Sequence, residues 1–152
     1  MLIRPAQVED CLPILELVTA ILSKEFPADQ AAYTADDLEK LMETYRGPSE
    51  TFLVAEEDRR IVGTCGVKAE GAQKAILRRL FVDSGYRGRG VGTQLLQEAL
   101  AFCRSKGFRE VVIRTSGRME RAIRLCRSQG FEEDGQWSLG PVTLVRFRLR
   151  LK

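Results

Sequence analysis

There is no histidine among the 152 residues of this chain. That absence removes every Ser–His and Cys–His hydrolase mechanism. The four cysteines, Cys11, Cys65, Cys103 and Cys126, stand singly among apolar neighbours with no C-x-x-C pair. A zinc site of Cys and His is therefore excluded, no metal is expected, and reduced thiols suit a cytoplasmic chain. No apolar run approaches the roughly 20 residues that cross a bilayer, and Met1–Pro5 does not read as a secretory signal peptide. No membrane partner is expected. Aromatic residues amount to only 7%, so the basic stretches have few rings on which bases could stack. Nucleic acid is not an expected partner either.

What is present is ordinary for a globular protein: 44% hydrophobic and 30% charged residues. Residues 1–152 read as one domain, large enough for one real core. The net charge of +3 is unevenly spread, with 4 basic and 10 acidic side chains in residues 1–50 against 10 basic and 4 acidic in residues 83–130. Either these are solvated helix faces, or one lobe meets an anionic ligand and the other prefers a cationic one.

Periodicity predicts alternating elements without repeat or linker. Leu2–Arg4 reads as a short strand and Val8–Ser23 as a helix, with Pro13 tolerable only in its first turn. Thr34 and Asp37 resemble a capping box that opens a second helix to about Tyr45. Strands follow at Thr51–Glu56, Arg60–Lys68 and Ala75–Val82, the first two joined by the turn Glu57-Asp58-Arg59. Val91–Ser105 is a strong amphipathic helix through Val91, Leu95, Leu96, Ala99, Phe102 and Cys103. Then come a strand at Glu110–Thr115, a helix at Arg118–Gln129, and strands at Phe131–Trp137 and Val142–Leu151. This order is that of a mixed α+β layered domain.

The informative segment is Leu80-Phe81-Val82-Asp83-Ser84-Gly85-Tyr86-Arg87-Gly88-Arg89-Gly90-Val91-Gly92-Thr93. A strand enters, alternating glycines turn the chain, and an amphipathic helix leaves. Glycines let successive N–H groups converge on one point, and the helix adds the positive end of its dipole. With Arg87 and Arg89 at the same place, the segment reads as a diphosphate cradle. It is neither G-x-G-x-x-G after an N-terminal strand nor G-x-x-x-x-G-K-[ST], which argues against dinucleotide binding and nucleoside triphosphate hydrolysis.

Arg87-Gly88-Arg89-Gly90-Val91-Gly92 resembles the R/Q-x-x-G-x-G/A signature of the GNAT superfamily of acyl-CoA-dependent N-acetyltransferases. Arg4-Pro5-Ala6 with Glu9-Asp10 resembles the family's opening strand and helix. Ala122-Ile123-x-Leu125 running to Gly130-Phe131 resembles its later helix. The resemblance implies an α+β, three-layer α/β/α domain whose mixed, mostly antiparallel sheet splays at a CoA cleft. It implies transfer of an acetyl group from acetyl-CoA to a primary amine by direct attack through a tetrahedral intermediate. An acyl-CoA-binding sensor or regulatory module without catalysis is the alternative.

On this resemblance, Leu80, Phe81 and Val82 pair with the pantetheine arm. Arg87, Gly88, Arg89, Gly90, Val91, Gly92 and Thr93 hold the pyrophosphate, and a backbone N–H such as that of Leu80 stabilises the oxyanion. The acceptor is a small-molecule amine or a peptide N-terminus. The acidic first third hints at a cationic acceptor, and the oligomeric state is left open to a homodimer.

Three positions depart from the family. Cys126 stands where a tyrosine acid often lies, and it is either the proton donor to the leaving thiolate or a buried member of the stripe Met119, Ala122, Ile123, Cys126. Met119 replaces an asparagine, and Ile76 replaces a glutamate that serves as base, leaving Glu56, Glu57 and Glu70 as alternatives or as solvated strand ends. Arg118, Arg121, Arg124 and Arg127 are candidates for the 3′-phosphate. Phe26, Tyr33, Tyr45 and Trp137 are candidates for the acceptor pocket.

Overall fold

A computed structural model describes residues 1–30, 33 and 35–152. Its seven strands are β1 (Leu2–Pro5), β2 (Thr51–Glu57), β3 (Arg60–Glu70), β4 (Lys74–Val82), β5 (Glu110–Ser116), β6 (Glu132–Leu139) and β7 (Val142–Arg150). They form one sheet in the order β1-β2-β3-β4-β5-β7-β6. Every pairing is antiparallel except β4 with β5. The helices are α1 (Cys11–Glu25), α2 (Asp36–Glu39), α3 (Leu41–Thr44), α4 (Val91–Ser105) and α5 (Glu120–Ser128). Among the described residues, no helix is long and apolar enough to cross a membrane. The mixed, mostly antiparallel sheet between helical layers is the architecture expected from the sequence.

Both faces of the sheet are covered near its middle, which is why β2 carries the continuous apolar run Phe52–Ala55. Phe52 and Val54 pack with Ile14, Val18 and Ile21 of α1 and with Leu38 and Leu41 of α2 and α3. Leu53 and Ala55 face the other way, toward Leu95, Leu96 and Ala99 of α4. The second core also takes Leu77, Val111, Ile113 and Phe147 from the central strands. Each fully buried leucine or phenylalanine contributes about 1.5–3 kcal/mol.

Element boundaries mostly follow the sequence pattern, with informative exceptions. A single 3-10 turn at Val8–Asp10 precedes α1, so Pro13 falls in the first turn of that helix, where no backbone N–H is lost. Asp10 anchors this start: it accepts from the Gln7 N–H at 2.7 Å and from Arg4 at 2.6 and 3.0 Å. The single second helix breaks in two at Lys40, whose φ of −120° and ψ of 41° are not helical. The capping role of Thr34 lies outside the described residues. In α4, Leu100 rather than Phe102 completes the buried stripe. The hairpin between β2 and β3 turns on Asp58 and Arg59, at φ 53° and 61°, the pair of left-handed residues that a two-residue type I′ turn demands. The closing Gly130-Phe131 of α5 is a Schellman motif, with Phe131 N–H on the Cys126 carbonyl at 3.0 Å and Gly130 N–H on that of Arg127 at 3.1 Å.

Candidate active site

The sheet opens between β4 and β5, the only parallel neighbours among the described residues. β4 and β5 stay paired from Lys74–Glu110 to Leu77–Ile113. Beyond that point β4 continues with β3 as far as Val82, while β5 follows β7 to Ser116. A bulge helps to part them: Cys65 of β3 opposes both Arg79 and Leu80, since Thr64 pairs with Phe81 and Gly66 with Arg78. Arg79 sits at φ 58°, a region unusual for a residue with a side chain. It is held there by Thr64 Oγ1, which donates to its carbonyl at 2.6 Å, and by Asp37, which takes its guanidinium at 2.5 Å. The extra residue shifts the alternation, so Leu80 and Val82 pack toward the α4 core and Phe81 toward α1.

The gap is a cleft of about 510 Å³. One wall is Leu80, Phe81 and Val82, and its floor is the turn and helix start at Arg87, Gly88, Gly90, Val91, Gly92 and Thr93. Gly88 and Gly90 have φ of 78° and 82°, and a Cβ built on either would meet no protein atom within 4 Å. The turn therefore presents bare backbone to open space at the N-terminus of α4, where unpaired N–H groups and the helix dipole favour an anion. Gly92 is tight for a different reason: a Cβ there would lie 3.2 Å from Leu125 of α5.

The arginines behave differently from one another. Arg87 does not present its charge freely. Its Nε donates to the Val82 carbonyl at 3.1 Å, and its two Nη atoms hold the Glu25 carboxylate at 2.5 and 2.9 Å. Arg89 turns outward over the Tyr86 ring at 5.0 Å and is not part of the cleft lining. Arg118, Arg121 and Arg124 line the opposite wall, Arg118 paired with Asp29 at 2.9 Å and Arg121 within 3.9 Å of Glu25. Arg127 lies outside it, against the Phe147 ring at 5.7 Å and near Glu133 at 3.6 Å. Ile21, Glu25 and Phe26 close the end formed by α1.

At the far end, where β5 stops and α5 begins, a polar chain runs through the wall. Fully buried Asp29 accepts from Ser116 Oγ at 2.8 Å and from Arg118 at 2.9 Å. The Ser116 N–H donates to the Tyr33 hydroxyl at 2.8 Å, and that hydroxyl lies 3.6 Å from the sulfur of Met119, a cleft residue. Burial pushes the Tyr33 pKa above its ordinary value, against the lowering effect of the Ser116 bond.

Cys126 lies elsewhere. It is fully buried in the core with Leu95 and Phe147, and burial pushes its thiol up to about 12. The helical stripe that carries it splits, Met119 facing the cleft and Cys126 the α4 core. Ile76 is buried, and none of Glu56, Glu57 and Glu70 lines the cleft. Glu56 pairs with Arg4 at 2.8 Å and Glu70 with Lys74 at 3.5 Å. Of the aromatic candidates, Phe26 lines the cleft and Tyr33 touches its wall. Tyr45 packs edge-on to Phe52 at 5.0 Å with its hydroxyl on Asp37, and Trp137 lies on the outer strand β6.

Comparison with known proteins agrees with this architecture. Residues 15–131 match the acetyltransferase (GNAT) family. N-acetyltransferase 8F1 of Rattus norvegicus is 30% identical over 105 residues, covering 66% of this chain and 48% of the rat protein. The chain thus spans about half the length of the curated relatives it matches. A GNAT-family acetyltransferase of Staphylococcus aureus Mu50 superposes with a TM-score of 0.87 at 22% identity, over 99% of each chain. The yncA protein of Salmonella typhimurium, solved with its cofactor acetyl-CoA, gives a TM-score of 0.80 at 21% identity over 99% of this chain and 94% of its own.

Proposed function

The chain belongs to the acetyltransferase (GNAT) family, and on that premise we propose that it moves an acetyl group from acetyl-CoA to a primary amine. The observation that carries this reading is the bare backbone cradle at Gly88 and Gly90, opening at the N-terminus of α4 onto the gap between β4 and β5. It suits the diphosphate of a CoA ester, and Arg118, Arg121 and Arg124, which line the same cleft, would meet its remaining phosphate. The edge of β4 at Leu80–Val82 would take the pantetheine amides as an added strand.

Acetyl-CoA supplies an activated thioester, and the chain supplies position and protons. The neutral amine attacks the carbonyl carbon directly, forming C–N and breaking C–S, and its nitrogen releases one proton to solvent. We assign the Leu80 N–H, at the bulge, to the developing oxyanion. Tyr33 is the residue we assign to protonate the leaving thiolate, regaining its proton from solvent. Its hydroxyl already accepts from Ser116, which leaves its own O–H directed toward the Met119 sulfur, and its raised pKa keeps it protonated at neutral pH. Cys126, enclosed in the core, has no part in this assignment.

The reading is tested in two steps. Melting is followed with acetyl-CoA, CoA, ATP and NAD at matched concentration. A ligand at 100 times its dissociation constant adds about 2.7 kcal/mol, a shift of about 5–10 °C for a domain of this size. The two CoA species alone should produce it. An equal shift with ATP, or none with CoA, would overturn the cradle. Release of free thiol with a panel of primary amines then separates an enzyme from a chain that only binds acyl-CoA.

A further inference from the structure

The residues at the point where the two strands part are arginines, and they lie outside the lining of the cleft itself. β4 and β5 separate directly after Leu77 and Ile113, and the next residue on each strand is Arg78 and Arg114. Leu77 and Ile113 point into the α4 core, so by strand alternation both arginines emerge on the opposite face. They are exposed there. The register extends the row, because Arg114 lies directly opposite Arg146 of β7. Neighbouring strands are about 4.8 Å apart, and like charges directly opposed across strands destabilise a sheet.

The neighbouring carboxylates do not relieve this at the mouth. Asp134 takes Arg146 at 2.7 Å and Arg148 at 3.5 Å, Glu110 lies 3.7 Å from Arg148, and Glu70 is paired with Lys74. Among the described residues, neither Arg78 nor Arg114 has a carboxylate within 4.0 Å, whereas the adjacent Arg79 holds Asp37 through Nε and Nη2. Arg114 instead lies 5.8 Å from the centre of the half-exposed Trp137 ring. Five of the ten acidic residues in the first 50, namely Asp10, Glu25, Asp29, Asp37 and Glu50, are bound to a basic side chain elsewhere.

We propose that Arg78 and Arg114 are a carboxylate clamp at the acceptor mouth, and that the acceptor is a small primary amine carrying a carboxylate, of the amino-acid class. This deepens the acetyl-transfer reading and rests on it. The amine end passes between the parted strands toward Leu80, while the carboxylate stays at the mouth between two guanidinium groups suited to planar, two-point contact. The nitrogen gains the acetyl group and loses one proton, and CoA leaves as its thiol. The charge of the acceptor is then opposite in sign to that suggested by the acidic first third of the sequence.

The test compares an equimolar mixture of proteinogenic amino acids with the matching mixture of their α-carboxamides, products being read by mass. The amide mixture holds the less basic and so more fully deprotonated amines, and chemistry alone favours it. The clamp predicts at least tenfold more product from the amino acids, falling to twofold or less in an Arg78→Gln/Arg114→Gln double variant whose melting shift with acetyl-CoA is unchanged. Equal use of both mixtures, or a preference that survives in the double variant, overturns the clamp. If neither mixture is acetylated while acetyl-CoA still raises the melting temperature, it is the transfer reading that fails. The clamp is then judged on binding to the CoA-saturated chain. Stabilisation by the amino acids alone, lost in the double variant, supports it, and equal response to both mixtures overturns it.

Discussion

Both oxygens of the Glu25 carboxylate rest on the Arg87 guanidinium, at 2.5 and 2.9 Å. The pair ties the end of α1 to the glycine turn, and Arg87 also reaches back to the last carbonyl of β4. It braces the turn while placing a negative charge inside a cleft otherwise suited to phosphate. The two roles separate on mutation. Glu25→Gln should lower stability by about 1 kcal/mol, as for a partly exposed ion pair, yet bind CoA several-fold more tightly because the opposing charge is gone. Arg87→Gln should loosen the turn and weaken CoA binding at least tenfold. Calorimetric titration with CoA alongside thermal melting checks both, and weaker binding by Glu25→Gln would show that bracing outweighs repulsion.

Gly90 makes the sharper test of the cradle. At φ 82° an alanine is strained, by about 1–2 kcal/mol, but its methyl group meets no protein atom within 4 Å. Gly90→Ala should therefore fold, melting about 2–8 °C lower. The methyl group would occupy the space left for the diphosphate, and the melting shift with acetyl-CoA should fall to near zero. A variant that keeps the full shift would place the ligand elsewhere.

The cradle was legible in the sequence because it is contiguous: one strand, one glycine turn and one helix, residues 80–93, hold nearly all of it. What escaped was held together across long separations. Glu25 lies 62 residues from Arg87, and Asp29 lies 87 from Ser116, so neither partner marks the other by spacing. The bulge at Arg79 gave no sign either, since a left-handed residue is usually announced by glycine, and here Thr64 and Asp37 impose it. The arginine row depends on which residues meet across β4, β5 and β7, a register that one strand read alone does not contain. Cys126 shows the reverse: its motif position suggested chemistry, and the packing of α5 against α4 encloses it.

That enclosure has a direct consequence. Cys126→Ala removes only a small buried atom, at a cost of about 1–2 kcal/mol, and should leave turnover within about twofold. The thiol, pushed up to about 12 by burial, should resist alkylation in the native chain at pH 8. A large loss of kcat at unchanged stability would restore the thiol to the mechanism.

Tyr33→Phe should do what Cys126→Ala does not. If the hydroxyl protonates the leaving thiolate, kcat should fall by about 10²–10⁴-fold with the acetyl-CoA melting shift intact. Loss of the 2.8 Å bond from Ser116 would lower stability as well, so stability alone cannot decide the role. The deciding readout is leaving-group dependence. A donor thioester whose thiol is more acidic needs less protonation, and it should recover much of the lost rate in Tyr33→Phe while changing the wild type little. Equal response in both would reduce Tyr33 to a prop for Ser116.

The last prediction concerns acid stability, set at the other end of α1. Arg4 hydrogen-bonds Asp10, and despite the opposing cost of burial this holds the Asp10 carboxyl below its ordinary value of 3.8, helped by the Gln7 N–H. A carboxylate with a depressed folded pKa stabilises the fold fully above its unfolded pKa, and that stability is lost as pH falls through the folded value. Asp10→Asn should therefore cost about 1.5–3 kcal/mol at pH 7, as for a hydrogen bond to a charged partner. Below about pH 4 the unfolded chain takes up the proton, so the difference between the two melting curves should begin to narrow there and close only as pH passes below the depressed folded value. Because Arg4 also holds Glu56 at 2.8 Å, β1 keeps one of its two anchors and the variant should still fold. A melting difference that stays constant from pH 7 to pH 3 would mean that the asparagine acts through packing at the helix start rather than through the lost charge.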